Sequence, residues 1–296
     1  MKTKLLFLSL LVLSILGSCN IYNPAEPVPA YIHVDNIKVK GADTTATGQG
    51  TNSSKISDAW IYIDDQLIGC FEMPCTVPVI SEGNHALRIR TGIKINGIAA
   101  TRAPYPFYTD YQQSVSLQPG TTINITNATV TYLSFMTSTS HFPMIEDFEN
   151  LGIKIIANAH TSEVPLALFD SPSSNVFEGN HSAGGVLHSN NTIFECKTID
   201  SFLLNKNSLP VFLEFNYKCN QSFMVYLKGY PNYNTAEALS FNPSETWKKA
   251  YLFLTPAIAQ LYAQSSATRF FINFQIKNNS GFDSVGLALD NIKIVQ

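Results

Sequence analysis

The residues able to do chemistry here are few: five cysteines, six histidines and 22 carboxylates among 296 residues. Cys19 stands apart by its position. It nearly closes the segment MKTKLLFLSLLVLSILGSCN, in which Lys2 and Lys4 precede an apolar run from Leu5 to Leu16 broken only by Ser9 and Ser14. A charged start, an apolar stretch of about a dozen residues and small residues before a cut site describe a secretory signal. The run is too short to cross a bilayer as a helix, which takes ~20 apolar residues.

The other cysteines are Cys70, Cys75, Cys196 and Cys219. An even count outside the cytosol permits two disulfides, Cys70 with Cys75 and Cys196 with Cys219. Four buried thiols fit equally well, since free Cys packs as a small hydrophobe. No His lies at ligand spacing for zinc beside either pair. His181 and His188 are seven apart, with Glu178 near, and on a strand they would face opposite sides. No G-x-S-x-G, H-E-x-x-H or P-loop occurs. Asp64-Asp65 invites comparison with a hydrolase acid pair, but adjacent strand residues point to opposite faces, so a hairpin turn is the expectation. Glu195 and Glu214 lie in apolar stretches; each is either a buried functional carboxylate or the polar side of an alternating strand. No catalytic residue is expected.

Sugar recognition needs aromatic faces against the C–H side of a ring and planar polar groups for its hydroxyls. The second half offers Tyr226, Tyr230, Tyr233 and Trp247, with Asn232, Asn234 and Arg269 as polar partners. Tyr230, Tyr233 and Trp247 are the candidate ligand-binding residues, although Tyr226 and Trp247 also fit as alternating core residues of their strands. Charged residues make up 14% of the chain, below the ~25% of average globular proteins, and the net charge is −3. With no basic run there is no nucleic-acid footprint. N-x-[ST] sequons stand at Asn52, Asn124, Asn127, Asn180, Asn190, Asn220 and Asn278. They read as composition, given the resemblance of Leu16-Gly17-Ser18-Cys19 described below.

These side chains must be positioned by strands. Tyr31–Val39 alternates apolar and polar residues, the period of a half-buried strand. Trp60–Ile63 and Gln66–Gly69 flank Asp64-Asp65 as a hairpin. His85–Arg90, Gln112–Leu117 and Thr122–Tyr132 follow. Gly41–Ser54 is small and polar, a loop, and its Asp43-Thr44-Thr45 resembles a Bacteroidetes O-glycosylation signal. In the second half, strands are expected at Lys154–Ala157, Gly184–Ser189, Val211–Lys218, Ser222–Lys228, Trp247–Thr255, Arg269–Ile276 and Gly286–Val295, with a short helix at Ala257–Gln264. Many short strands at even spacing argue for sandwiches or a jelly roll. The expected division is 1–18 signal, 19–30 a Pro-rich tether, 31–133 a first β-domain, 134–144 a linker and 145–296 a second β-domain.

Leu16-Gly17-Ser18-Cys19 resembles the bacterial lipobox. The resemblance implies diacylation of the Cys19 thiol, cleavage before it and a chain held by membrane lipid rather than spanning it. Asn20 after the cysteine leans toward the outer membrane, and the flavour of the whole resembles Bacteroidetes surface lipoproteins. Ile63-Asp64-Asp65, Ile68-Gly69, Pro74 and Glu82-Gly83-Asn84-His85 resemble the PEGA-type immunoglobulin-like domain, with Ser81 in place of the usual proline; that implies a non-catalytic β-module. Asp147-Phe148-Glu149, Trp247-Lys248-Lys249 and Leu289-Asp290-Asn291-Ile292-Lys293-Ile294 resemble galactose-binding-type jelly rolls. That resemblance implies first and last strands side by side and a structural calcium on Glu149 and Asp290 with Asp147. The sum is an all-β chain, an immunoglobulin-like sandwich followed by a jelly-roll sandwich, expected to bind glycan or to adhere. The alternative is an accessory subunit of an envelope complex, docking a protein through the aromatic loop Tyr105–Tyr111, a stretch that could equally pack against the next domain.

Overall fold

The computed structural model describes residues 26–41, 48–134, 136, 141–206, 209–279 and 282–296. Cys19 with its leader, and Asp43-Thr44-Thr45, lie outside the described residues. The described residues form 21 strands and one α-helix, so the chain is all-β.

The N-terminal sandwich contains β1 (Ala30–Val34), β2 (Ile37–Val39), β3 (Asp58–Ile63), β4 (Gln66–Glu72), β5 (Cys75–Val79), β6 (Gly83–Lys94), β7 (Arg102–Pro104), β8 (Tyr111–Leu117), β9 (Thr122–Ile125) and β10 (Ala128–Val130). One sheet runs β4-β3-β6-β7, with β8 also on β6; β5-β1-β9 and the pair β2-β10 make up the rest. Alternation sends Ile32, Val34, Ile61, Ile63, Leu87 and Ile89 into a shared core. Asp64 and Asp65 both have positive φ, 47° and 63°, the demand of a two-residue hairpin turn whose twist matches its strands. Asp64 then accepts a hydrogen bond from the Ala86 N–H at 2.8 Å and lies 2.6 Å from the His85 ring nitrogen. The pair is a turn, not an acid pair. Tyr31–Val39, expected as one strand, breaks at Asp35-Asn36, and Thr122–Tyr132 breaks opposite it near Asn127, whose φ is 55°. The breaks are coupled because β1 runs parallel to β9 and β2 parallel to β10.

The C-terminal sandwich contains β11 (Met144–Glu146), β12 (Ile155–Ala157), β13 (Ala167–Asp170), β14 (His181–His188), β15 (Ile193–Thr198), β16 (Phe212–Cys219), β17 (Phe223–Tyr230), β18 (Thr235–Phe241), β19 (Ser244–Phe253), α1 (Thr255–Ser265), β20 (Arg269–Lys277) and β21 (Ser284–Val295). The back sheet runs β13-β14-β21-β16-β19 and the front sheet β12-β15-β20-β17-β18. First and last strands lie side by side, since β11 pairs with β21. Between the sheets, Phe215, Phe223, Phe241 and Phe274 pack with ring centroids 5.0 to 6.3 Å apart. α1 carries Pro256 in its first turn, where the missing N–H costs nothing, and buries Ala257, Ile258 and Leu261. Cys70, Cys75, Cys196 and Cys219 are free thiols.

The outer face of the back sheet carries Phe212, Glu214, Tyr251 and Val295, because Leu213, Phe215, Leu252 and Ile294 take the inward positions. One end of this face is covered by the N-terminal sandwich. Tyr105, Phe107 and Tyr108 are buried against it, with the Tyr105 and Phe212 rings 5.2 Å apart. Part of the Tyr105–Tyr111 loop is therefore occupied within the chain, and its buried rings offer no surface to an envelope protein. Polar partners complete the seam. Glu214 is wholly buried, and its Oε1 accepts hydrogen bonds from the Tyr105 hydroxyl at 2.6 Å and the Tyr132 hydroxyl at 2.8 Å. Lys249 lies 3.5 Å from its Oε2, and Lys293 donates to the Tyr132 hydroxyl at 3.2 Å. Ser53 donates to Asn216 at 2.6 Å, the Lys55 N–H to the Tyr251 hydroxyl at 3.0 Å, and the Phe253 N–H to Asn96 at 2.9 Å.

Removing one partner of a buried charged cluster leaves the others uncompensated. Glu214→Ala is expected to lower the unfolding free energy by about 3–5 kcal/mol in urea titration. Burial pushes the Lys293 ammonium down to about 8, against the opposing pull of Glu214. Between that value and the ordinary 10.5 the unfolded chain binds more protons than the folded one, so stability rises with pH across this window. Lys249 is lowered for the same reason and adds to the rise. The expected outcome is a stability that climbs as pH is raised above about 8, with a shallower climb in Lys293→Met.

Candidate functional site

The front sheet has an outer face that the N-terminal sandwich does not cover, since the residues of the C-terminal sandwich packed against the N-terminal core, Phe212, Tyr251, Phe253 and Val295, all stand on the back sheet. Alternation builds it. β15 turns Phe194 and Cys196 inward and Glu195 outward; β20 turns Phe270, Ile272 and Phe274 inward and Phe271, Asn273 and Gln275 outward; β17 turns Val225 and Leu227 inward and Met224, Tyr226, Lys228 and Tyr230 outward. Register sets Glu195 beside Gln275, Lys197 beside Asn273, Tyr226 beside Asn273 and Lys228 beside Phe271.

Glu195 is 0% exposed although it points to the outer side. Its Oε1 accepts from the Asn158 side-chain amide at 2.6 Å and the Tyr226 hydroxyl at 2.7 Å, and its Oε2 accepts from the Gln275 amide at 2.6 Å. The backbone after β12 folds over it: the Asn158 N–H donates to the Glu195 carbonyl at 2.8 Å, and the Glu195 N–H donates to the Ser162 hydroxyl at 3.2 Å. A carboxylate with three charge-assisted donors fixes their rotamers as well as its own. Burial, and then Glu195 itself, raise the Tyr226 hydroxyl far above its ordinary pKa, so it stays protonated. Asn273 is also fully buried, and neither end of its amide has a hydrogen-bond partner. Such a group costs roughly 1–3 kcal/mol when left unpaired.

Aromatic rings continue from this cluster toward the end of β17. Tyr233 lies nearly parallel to Phe271, centroids 6.5 Å apart, and edge-on to Tyr230 at 5.7 Å. Tyr230 is 43% exposed and Tyr233 51%. The Lys197 ammonium sits 5.2 Å from the Phe271 ring and that of Lys228 5.5 Å from Tyr233. The arrangement supplies flat apolar rings, amides and two cations on one rigid sheet.

Tyr230 and Tyr233 are thus brought together as expected, but Trp247 is not with them. It stands on β19 of the back sheet, its ring 5.5 Å from Phe177 and its indole N–H donating to the Ser174 carbonyl at 3.2 Å. Tyr226, which also read as a core residue, faces outward. Its parity with Lys228 carried that signal, and the same alternation turns Phe271, Asn273 and Gln275 to the outer side. Asn232 and Arg269 hold neighbouring loops, through the Ser265 carbonyl and Ser201.

The acids expected to hold calcium behave otherwise. Glu149 Oε1 accepts from the Asn180 and His181 N–H groups at 2.7 and 2.8 Å. Asp290 Oδ2 accepts from the Ser182 hydroxyl at 2.5 Å and the Glu178 N–H at 3.4 Å, while Oδ1 accepts from the Asn291 N–H at 2.7 Å. Asp147 Oδ1 accepts from the Glu149 N–H at 3.2 Å. First and last strands so clamp the 178–182 loop by direct hydrogen bonds, with oxygens facing N–H and O–H donors rather than a common centre. Among the described residues no group of three or more His, Cys, Asp and Glu side chains gathers as a metal site. These residues do not fit the ion. Burial lifts the Asp290 carboxyl to about 6, with the Ser182 hydrogen bond pulling the other way.

The class these features define is an all-β chain of two sandwiches, the second presenting an open polar and aromatic sheet face. No family model and no curated protein matches it. Solved structures similar to parts of it include a family 61 carbohydrate-binding module in complex with β-1,4-galactotriose, at 12% identity over 48% of this chain and 86% of that one, TM-score 0.32. A family 11 carbohydrate-binding module from Clostridium thermocellum, in complex with a mixed-linked tetrasaccharide, is 14% identical over 52% of this chain and 94% of that one, TM-score 0.34. An exo-β-agarase is 12% identical over 52% of this chain and 25% of that one, TM-score 0.37.

Glu195→Ala strands three donors at once. It is expected to destabilise the chain by at least about 3 kcal/mol in urea titration. The milder Glu195→Gln should bring the Tyr226 hydroxyl back toward an ordinary tyrosine pKa in a phenolate absorbance titration.

Proposed function

We propose that this chain is a lipid-anchored, non-catalytic glycan-binding protein of the cell envelope, and that the outer face of the front sheet is its binding surface. The observation that carries the reading is Glu195: a wholly buried carboxylate on the outward side of a sheet, locking Asn158, Tyr226 and Gln275 in place, with the rings of Phe271, Tyr233 and Tyr230 further along the same strands. A preorganised polar lattice with neighbouring aromatic faces suits a polyhydroxylated ring, because affinity then loses little to ordering side chains. Asn273 is buried in the same lattice with its amide unpaired.

A hydrolase reading is weaker on geometry. Glu195 and Glu237 share the front sheet but stand three strands apart, roughly 14 Å at the usual strand spacing. Acid pairs of glycoside hydrolases stand about 5–10 Å apart. Glu214 faces the other side of the sandwich, under the N-terminal domain. Membrane attachment rests on Leu16-Gly17-Ser18-Cys19: acyl chains on that thiol would anchor the chain, in the outer membrane on the present reading, since two or more chains make anchoring stable.

Residues 20–296, which keep every described residue, on a broad glycan array test the ligand class. Binding to at least one glycan is expected, with Tyr226→Ala and the double change Tyr230→Ala, Tyr233→Ala each weakening it roughly tenfold, about 1.4 kcal/mol. A silent array would sink the glycan reading. Separately, Cys19→Ala should move the chain out of the membrane fraction; a variant that stayed there would remove the anchor from the account.

A further inference from the structure

The N-terminal sandwich covers only one end of the back sheet's outer face. The other end is a groove of about 380 Å³. We propose that this groove is a second glycan-binding site, which takes a terminal neutral sugar residue and works apart from the front-sheet face.

Its floor is small and apolar. Val186 on β14 lies opposite Gly286 on β21, and Ala288 lies opposite Lys218 on β16. Phe169 comes from one edge strand and Glu245 from the other. The segment after β13 spans the sheet between them. Its Ser174 carbonyl accepts from Trp247 on the far edge strand, and the Lys218 ammonium donates to the Ser174 carbonyl at 3.0 Å, the Ser174 hydroxyl at 3.2 Å and Asn175 Oδ1 at 3.3 Å. The arch is therefore fixed to the sheet by two side chains. Asn220 stiffens the floor: its Oδ1 accepts from the Gly286 N–H at 2.8 Å, and its Nδ2 donates to the Ser284 carbonyl at 3.0 Å.

Gly286 is the pointed feature. A Cβ built on it meets no atom within 4 Å, and its φ is not positive. Neither crowding nor backbone conformation requires glycine, although glycine within a strand is less favourable than alanine because it loses more backbone freedom on folding. Gly184 is different, because a Cβ there would lie 1.8 Å from the Leu287 carbonyl oxygen. What glycine at 286 does is keep the groove floor open. The volume lies at the low end of the range for small-molecule sites, roughly 300–1,000 Å³, which suits one or two sugar rings rather than a long chain. One ammonium, one carboxylate, two amides and a hydroxyl (Lys218, Glu245, Asn175, Asn220 and Ser284) surround the apolar floor. Charges of both signs and many hydrogen-bonding groups favour a neutral polyol over an anion or a cation.

The ligand class shares the glycan reading above; the location does not, and the test separates them. Nitrogen-15-labelled residues 20–296 are titrated with millimolar methyl β-D-galactoside, methyl α-D-mannoside and methyl β-D-glucoside. Saturable shifts of the Gly286, Ala288 and Lys218 amides are expected with at least one probe. Gly286→Val should weaken them at least tenfold, Gly286→Ala should weaken them less, and Tyr226→Ala should leave them unchanged. The alanine variant adds one methyl to open space, so it keeps the test alive if valine prevents folding. Groove shifts with a silent front sheet support this site and count against the front-sheet one. No saturable groove shift with any probe, or groove shifts that persist unaltered in both Gly286 variants, overturns the proposal.

Discussion

Everything open in this molecule is defined by what Glu214 closes. A carboxylate with no exposure cannot remain ionised unless donors and cations meet it. Tyr105 and Tyr132 come from the N-terminal sandwich, Lys249 and Lys293 from the back sheet, and all four converge on this one side chain or on each other. The seam thereby has a single register. Apolar contact of Phe212, Phe253 and Val295 with the N-terminal core supplies area, but area alone would tolerate sliding. Directional hydrogen bonds do not.

Two consequences follow for binding. With one end of the back sheet sealed, its remaining groove and the front sheet are two separate surfaces of the C-terminal sandwich. They differ in construction. The front face is a lattice in which Glu195 pins three donors and the rings lie along the strands. The groove is a recess left by a missing side chain under a fixed arch. If both proposed sites bind sugar, one chain could engage branched or neighbouring glycans together, where linkage raises apparent affinity without new contacts.

Much of the architecture was legible because β-structure writes itself in alternation. Strands over Val211–Lys218, Arg269–Ile276 and Gly286–Val295 were readable to within a residue or two of each end, and Asp64-Asp65 announced its turn. What the pattern could not show was which outward face would be covered. Glu195 and Glu214 sit in similar apolar surroundings, Phe194-Glu195-Cys196 and Leu213-Glu214-Phe215, yet one supports an open face and the other a domain seam. That difference belongs to strand order and to contacts between residues more than 80 positions apart, such as Tyr132 with Glu214. Tyr226 and Trp247 show the same limit: both alternate correctly, and only the sheet assignment separates them. The acids Glu149 and Asp290 were placed near one loop as the first-and-last-strand pattern implied, but their oxygens meet N–H and O–H donors, which no spacing in the sequence reveals.

On the proposed function, ligand meets the front-sheet rings while the seam tyrosines stay out of reach. Carbon-13 labelling of the tyrosine rings reads both at once, because the chain has 13 tyrosines and the two sets are distinct. Titration with a glycan that binds should shift the ring signals of Tyr226, Tyr230 and Tyr233 in proportion to occupancy and leave Tyr105, Tyr108, Tyr132 and Tyr251 where they are. Saturable binding that leaves the first three unmoved, or that moves the seam tyrosines instead, would contradict the account.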